Sequence, residues 1–577
     1  MPHYEVSWRD PDERLYDVLI SFTAPVDRPR LVLPVWRPGR YVVQNFAANV
    51  REWSPNMHKE GKSAWRVEAA KGDQVRVSYR FYAGTLDAGS CLLERDEAYL
   101  NGSNLFMYVE GLRHEPALLT IHTPDDWVVE IQLPAEGPRT FRARDFDHLI
   151  DSPVMAAPRM TRHSFQESGA TIHLIFRGDE GIDTTQYLEP LRSIVREQAA
   201  LFGGLPFEEY RFLYHVGDRW HGVEHEDSSS IIVRRGALLG AKPGDDGFDH
   251  LLSISAHELF HVWNVKRIVP KVFAPYDYST ETPTRLLWAM EGITSYFGDL
   301  SLARAGVWDR QHYLQHLAQE IEILESAPAR LHLSLAQASH DGWLHDPSHM
   351  HDRANAWISF YNKGELVALL LDLTLRVHHG KSLDDVMRLL WTEYGLIGRP
   401  LDEDAIEQAV AQVAGTELSD FFAHYVDGVA PLPYAELLAP MGITYQARPR
   451  LPSLGARLRL HDGMMLIDGV MQGGTAMSAG MAQGDELLAV GGNRVRNEQE
   501  LLRAFRSFQE GEEIELVIAR GGVVRNLRGN VRRDGSADVT LQVAEAENPL
   551  LRKWLRRSND AERAGDLHRE PDSRPGD

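Results

Sequence analysis

The chain has 577 residues, more than a single hydrophobic core supports, so about three or four domains are expected. Hydrophobic residues at 43%, charged residues at 25% and a formal charge of -22 describe an ordinary soluble globular protein and argue against a nucleic-acid partner. The single cysteine, Cys91, excludes an internal disulfide framework, a thiolate zinc site and a CxxC redox pair.

The N-terminal MPHYEVSWRDPDERLYDVLI lacks the basic and apolar regions of a secretory signal. No stretch approaches the ~18 consecutive apolar residues of a membrane helix. The expectation is a cytoplasmic protein without membrane contact. Residues 1–175 alternate short runs such as YDVLISFTA, QVRVSYRFYA and ATIHLIF with turn residues, which predicts an antiparallel β domain. Residues 176–445 turn to helical periodicity, interrupted by FEEYRFLYHVGDRWHGVEHEDSSSIIVRRG, which reads as strands and loops. The segment around 445–455, with Pro449 and Pro452, reads as a linker. Residues 453–545 return to short strands punctuated by glycine. The polar tail 546–577 is expected to be disordered, at least beyond Leu555.

Within the helical region stands His257-Glu258-Leu259-Phe260-His261. Histidines four apart lie on one helix face, so both imidazoles reach one metal ion while the intervening glutamate reaches the attacking water. Zinc suits such a set. With 25 histidines in the chain, chance produces the pattern in roughly one such chain in sixteen, so context must decide. Leu251, Leu252, Ile254, Leu259, Phe260 and Trp263 make this a buried helix, where two histidines and a glutamate are costly without partners.

Catalytic zinc usually takes three protein ligands and leaves one position open. A second helix is expected from Thr282-Pro283 to a stop at Gly306, and Glu291 is its only acid before Asp299. Flanked by Leu, Trp, Met, Ile and Tyr, Glu291 is the candidate third ligand; a salt-bridged core glutamate is the alternative. Asp299 reads as a residue orienting a ligating imidazole, or as a solvated helix position.

HELFHVWNVKRI, WAMEGITSYFGDLSLARAG and FYNKGELVALLLDL together resemble the M61 metallopeptidases, the glycyl aminopeptidases of the gluzincin clan. LPVWRPGRYVVQNFAANV is similar to that family's N-terminal signature and DFFAHYVDGVAPLPYAELLAPMGI to its closing segment. The resemblance implies a multidomain α+β chain: an N-terminal antiparallel β domain, a thermolysin-like, mainly helical catalytic domain and a C-terminal module. It implies one Zn2+ per chain on His257, His261 and Glu291, with Glu258 as general base and Tyr361 as donor to the oxyanion. It further implies that Glu224 captures the free α-amine of a peptide, and that the strand with Gly222 and Val223 pairs with the peptide backbone. Small N-terminal residues such as Gly and Ala are the implied preference. His221, in place of a usual small residue, and Glu226-Asp227, in place of a basic one, depart from the pattern.

TAMSAGMAQGDELLAVGGNRV resembles a PDZ domain, with Ser453-Leu454-Gly455-Ala456 as its carboxylate-binding loop and a peptide or protein C-terminus as its ligand. A packing appendage is the other reading. The loop SHDGWLHDPSHMHDRANAW is rich in His and Asp, as a second metal site or as surface decoration. Three functions are consistent with these features: a zinc aminopeptidase, an endopeptidase assisted by its PDZ domain, and a non-catalytic peptide-binding adaptor.

Overall fold

The computed structural model describes residues 1–344, 350, 352–533, 535–544 and 548–556. Alternating Val, Ile, Tyr and Phe in the first 158 residues build three sheets. The largest has seven strands, with His3–Ser7 and Leu15–Thr23 at its centre, and encloses a core containing Tyr4, Tyr16, Trp65 and Tyr79. Pairing there is antiparallel except between His3–Ser7 and Ala117–Ile121, which run parallel.

The strands Thr161–Glu167 and Ala170–Arg177, read from sequence as the end of this β domain, belong instead to the next sheet. That five-stranded sheet also holds Glu209–Gly217, Ser228–Arg234 and, at its edge, His221–Glu224. Ala170–Arg177 pairs parallel with Glu209–Gly217. Ile172, Leu174 and Phe176 on one face join the core beneath the helices, while Ile175 on the other packs with Met155 and Leu213. A strand buried on both faces reads as a continuous apolar run, so the sequence did not reveal which sheet it joins.

Four helices carry the chemistry that follows: the motif helix Asp246–Phe260, the glutamate helix Ile293–Ala305, the histidine helix Arg310–Glu325 and the tyrosine helix Asn362–Thr374. The glutamate helix does not start at Thr282-Pro283. Its regular turns begin at Ile293, preceded by a wide π-helical turn over Trp288–Gly292. Glu403 on a distant segment accepts from the Thr284 hydroxyl (2.6 Å) and the Arg285 amide (3.0 Å), holding the approach in a non-helical path. The stop at Gly306 is as expected, with φ 75.

At the C-terminal end, Ile443–Pro449 is a strand rather than a linker. It pairs antiparallel with Ala537–Val543, the strand assigned from sequence to the glycine-punctuated module. Between them lies a separate sheet whose outer strand, Ala456–His461, pairs among the described residues only with Met464–Val470. Part of the tail is also ordered: Pro549–Trp554 is a helix whose Leu551 and Trp554 are fully buried. Trp554 Nε1 donates to Tyr296 Oη at 2.9 Å, and Arg304 Nε donates to the Trp554 carbonyl at 3.0 Å. Two apolar anchors in a polar context fix this helix, which average composition obscures. No described helix is long and apolar enough to cross a membrane.

Candidate metal centre and substrate cavity

His257 and His261 project from one face of the motif helix, their rings nearly perpendicular at 84°. Their Nε2 atoms are 3.0 Å apart, and Glu291 Oε2 lies 3.6 Å from the first and 3.3 Å from the second. Ligands about 2.05 Å from a tetrahedral ion stand about 3.3 Å from one another. The three atoms therefore fit the ligand face of one small cation with its fourth position open. Fit extends to the donor set, two imidazoles and a carboxylate, with His261 and Glu291 each only 2% exposed.

Surrounding groups hold this triad. His261 Nδ1 donates to the Asn264 carbonyl at 2.9 Å, which leaves Nε2 as the nitrogen that faces the site. The turn that brings Asn264 back places Val265 at φ 107, a strained position for a β-branched residue. The Asn264 side chain donates to the carbonyls of Ala289 (2.8 Å) and Met290 (3.2 Å), within the wide turn carrying Glu291. One asparagine thus fixes both segments that carry the candidate ligands. Ser295 Oγ faces His257 Nδ1 at 3.4 Å and donates to the Glu291 carbonyl at 2.9 Å.

Asp299 does not take the role expected of it. Among the described residues it hydrogen-bonds neither ligating imidazole. One oxygen accepts from Ser253 Oγ at 2.7 Å and the other lies 2.8 Å from His316 Nε2. Eight positions after Glu291, it has already turned toward the neighbouring histidine helix.

The β domain supplies the group that sequence reasoning missed. Tyr41 Oη donates to Glu291 Oε1 at 2.8 Å, across 250 positions of sequence. Its segment also brings Gly39 (φ 76), where a Cβ would come within 2.3 Å of Glu224 Oε2. The only sequence signal was the dense RPGRY run, which named no partner.

A cavity of ≈ 510 Å3 opens over the triad, lined by Gly39, Tyr41, Gly222, Glu224, Glu258 and Tyr361 among others. Gly222 and Glu224 face it from the edge strand; the side chain of Val223 points the opposite way and packs with Ala88 and Ile232. Only the backbone of Val223 is thus available for the expected peptide pairing. Gly222 packs directly against Glu258: a Cβ there would stand 1.9 Å from Oε1, so the carboxylate would have to move. The departure at His221 has a structural account: its Nδ1 pairs with Asp87 of the β domain. Glu226 and Asp227 are likewise taken, pairing with Arg144 and Arg267.

Burial raises the Glu258 carboxyl well above its usual range, with the Glu224 and Glu291 carboxylates adding to the shift. Burial also keeps the Tyr361 phenol protonated, reinforced by the same anions. Its ring lies 6.2 Å from that of His257. Close packing of Gly292 against Gly364, where a Cβ on Gly292 would come within 2.4 Å of the Gly364 backbone, sets the tyrosine helix this near. Burial opposes charge on His261, but Glu291 outweighs it and raises the imidazole to about 10.

Residues 3–158 match the Peptidase M61 N-terminal domain, and residues 250–367, which include His257, Glu258, His261, Glu291 and Tyr361, match the M61 glycyl aminopeptidase model. The chain belongs to the M61 peptidases. This M61 peptidase also carries a PDZ domain, matched over residues 452–531. A solved aminopeptidase N family protein from Idiomarina loihiensis is 27% identical, with TM-score 0.90 over 96% of this chain and 100% of that one. An M1 zinc metallopeptidase from Deinococcus radiodurans is 15% identical, with TM-score 0.49 over 75% of this chain and 94% of that one. No curated protein sequence matches.

The PDZ domain touches the wall of the cavity. Asn355 Nδ2 donates to the Val470 carbonyl, and Asn355 Oδ1 accepts from the Gln472 amide, both at 2.7 Å. Arg353 and Trp357 on either side of this clasp line the cavity. Part of the His/Asp-rich loop, residues 345–349 and 351 with His345, His349 and His351, lies outside the described residues.

Proposed function

We propose that this M61 peptidase is a zinc aminopeptidase that removes small N-terminal residues from peptides. The observation that carries this reading is Glu224. It is 5% exposed, and one of its carboxylate oxygens lies within 4.8 Å of ligand-type atoms of Glu258 and His261. Among the described residues it has no ion-pair partner within 4.0 Å. A buried carboxylate beside the reacting centre that is held in no direct ion pair, with Arg37 and Lys266 acting on it only at longer range, suits the α-ammonium of a peptide. Gly39 packs directly against it, and the preference for a small first residue follows from the glycyl aminopeptidase match.

His257, His261 and Glu291 would hold the ion, which when bound polarises the scissile carbonyl and acidifies a water. Glu258 takes the proton of the attacking water and delivers it to the leaving amine. Tyr361 donates its hydroxyl hydrogen to the developing oxyanion. Glu224 sets the register by pairing with the α-ammonium, while the free edge of His221–Glu224 aligns the peptide backbone.

The test compares one peptide with a free and an acetylated N-terminus. Glu224→Ala should lose about 2–5 kcal/mol of transition-state binding on the free peptide, roughly 30- to 4000-fold in kcat/KM. The acetylated peptide should be cut poorly by both proteins. Equal loss on the two peptides would overturn the amine-anchor role. The Asn355 clasp favours a second reading, an endopeptidase whose PDZ domain presents polypeptides; efficient internal cleavage of the acetylated peptide by the unaltered protein would select it.

A further inference from the structure

Behind the catalytic triad, the glutamate, histidine and tyrosine helices meet at a second group of polar side chains. Asp299, His316 and Glu365 come from one helix each, and their ligand-type atoms lie within 4.8 Å of one another. His316 Nε2 is 2.8 Å from Asp299 Oδ2 and 3.7 Å from Glu365 Oε1. His316 Nε2 thus pairs with both carboxylates by charge, yet neither contact has the in-line geometry of a ring N–H bond. Glu365 Oε1, on a residue 4% exposed, has no hydrogen bond and only that 3.7 Å contact.

Charge points the same way. Glu320, one turn beyond His316, adds a third carboxylate whose Oε2 accepts from Asn362 Nδ2 at 2.7 Å. Among the described residues no lysine or arginine is ion-paired with Asp299, Glu320 or Glu365. One imidazole therefore faces three carboxyl groups in a half-dry space, and burying unpaired charge is expensive. Burial pushes the Glu365 carboxyl up to about 8, with Glu320 and Asp299 adding to the shift. A nitrogen and two oxygens converging from three facing helices is how bundle cores bind divalent ions.

We propose that Asp299, His316 and Glu365 form a second divalent-cation site, for a Zn2+- or Mn2+-class ion, separate from the catalytic one. The two sites are linked through short helical steps. Ser253, bonded to Asp299, stands one turn before His257, and Ser295, beside His257 Nδ1, stands one turn before Asp299. An ion in the second site would neutralise the carboxylates behind His257 and pin three helices together.

Metal content of the full chain decides the matter. Chelator-stripped protein is reloaded with Zn2+ or with Mn2+, desalted and assayed for bound metal, in parallel with isothermal titration. Two equivalents are expected for the unaltered chain and one for His261→Ala, which loses only the catalytic ion. Glu365→Ala should also bind one, and Co2+ titration of the unaltered chain should show two spectroscopically distinct steps, which covers a variant that fails to fold. One equivalent in the unaltered chain, abolished by His261→Ala, would overturn the second site and leave the catalytic reading intact. One equivalent that survives His261→Ala but not Glu365→Ala would instead overturn the catalytic ligand set.

Discussion

Tyr41→Phe removes one oxygen atom and leaves the ring in place, stacked at 20° on Phe273 and edge-on to Trp343 and Phe360. What is lost is the 2.8 Å bond to Glu291 Oε1. A buried hydrogen bond to a charged acceptor contributes about 1.5–3 kcal/mol. That bond holds Oε1 so that Oε2 faces the two imidazoles at 3.6 and 3.3 Å. If the energy acts on the ligand's orientation, it converts to roughly a 10- to 150-fold weaker metal affinity, in line with the ~10- to 100-fold typical of residues that orient ligands. Competition with a chromophoric chelator measures the affinity, and thermal unfolding of the metal-free protein measures the fold. The expected result is a large drop in affinity with a modest drop in Tm. A metal affinity within about two-fold of the unaltered protein, with the whole penalty in metal-free Tm, would refute the reasoning. Tyr41 would then merely hold the two domains together.

Other outcomes follow from single contacts. Gly222→Ala places a Cβ where Glu258 Oε1 now stands, so kcat should fall by about 10²-fold or more while metal content is unchanged; parallel kinetics and metal analysis check this. Trp554→Ala empties a fully buried site and breaks the bond to Tyr296, which should cost about 3–5 kcal/mol in denaturant unfolding. His261 must release a proton to ligate, because Glu291 raises it to about 10 against the opposing effect of burial. Below that value the proton competes, so metal affinity should fall as pH falls, by close to ten-fold per pH unit if this is the one proton displaced. Calorimetry in buffers of different ionisation enthalpy counts the protons released.

The candidate ligand set was legible because it is local. His257, Glu258 and His261 share one helix face, and Glu291 is an isolated acid in an apolar run, so spacing and burial cost single them out. Their supports were not legible. Tyr41 reaches Glu291 across 250 positions, and nothing local in RPGRY requires a carboxylate partner. Asn264 is visible in HELFHVWN, yet its double role depends on a wide turn formed in another segment. Asp299 shows the opposite failure: helical spacing brought it near His257, but a competing imidazole on a third helix captured it. At the other end, Pro449 suggested a linker, whereas a proline at the last position of a two-stranded ribbon removes only one donor.

That ribbon changes what kind of architecture this is. Pro449 pairs with Ala537, so the chain leaves the peptidase and returns to it at neighbouring points after completing the PDZ sheet. In topological terms the PDZ domain is a cassette inserted into a hairpin, not a module strung on at the end. A stop codon placed before it would also remove Ala537–Val543 and the helix bearing Trp554, taking buried side chains from the peptidase core. Excision of the cassette, with Pro449 rejoined to Ala537 through a short turn, would leave that core whole.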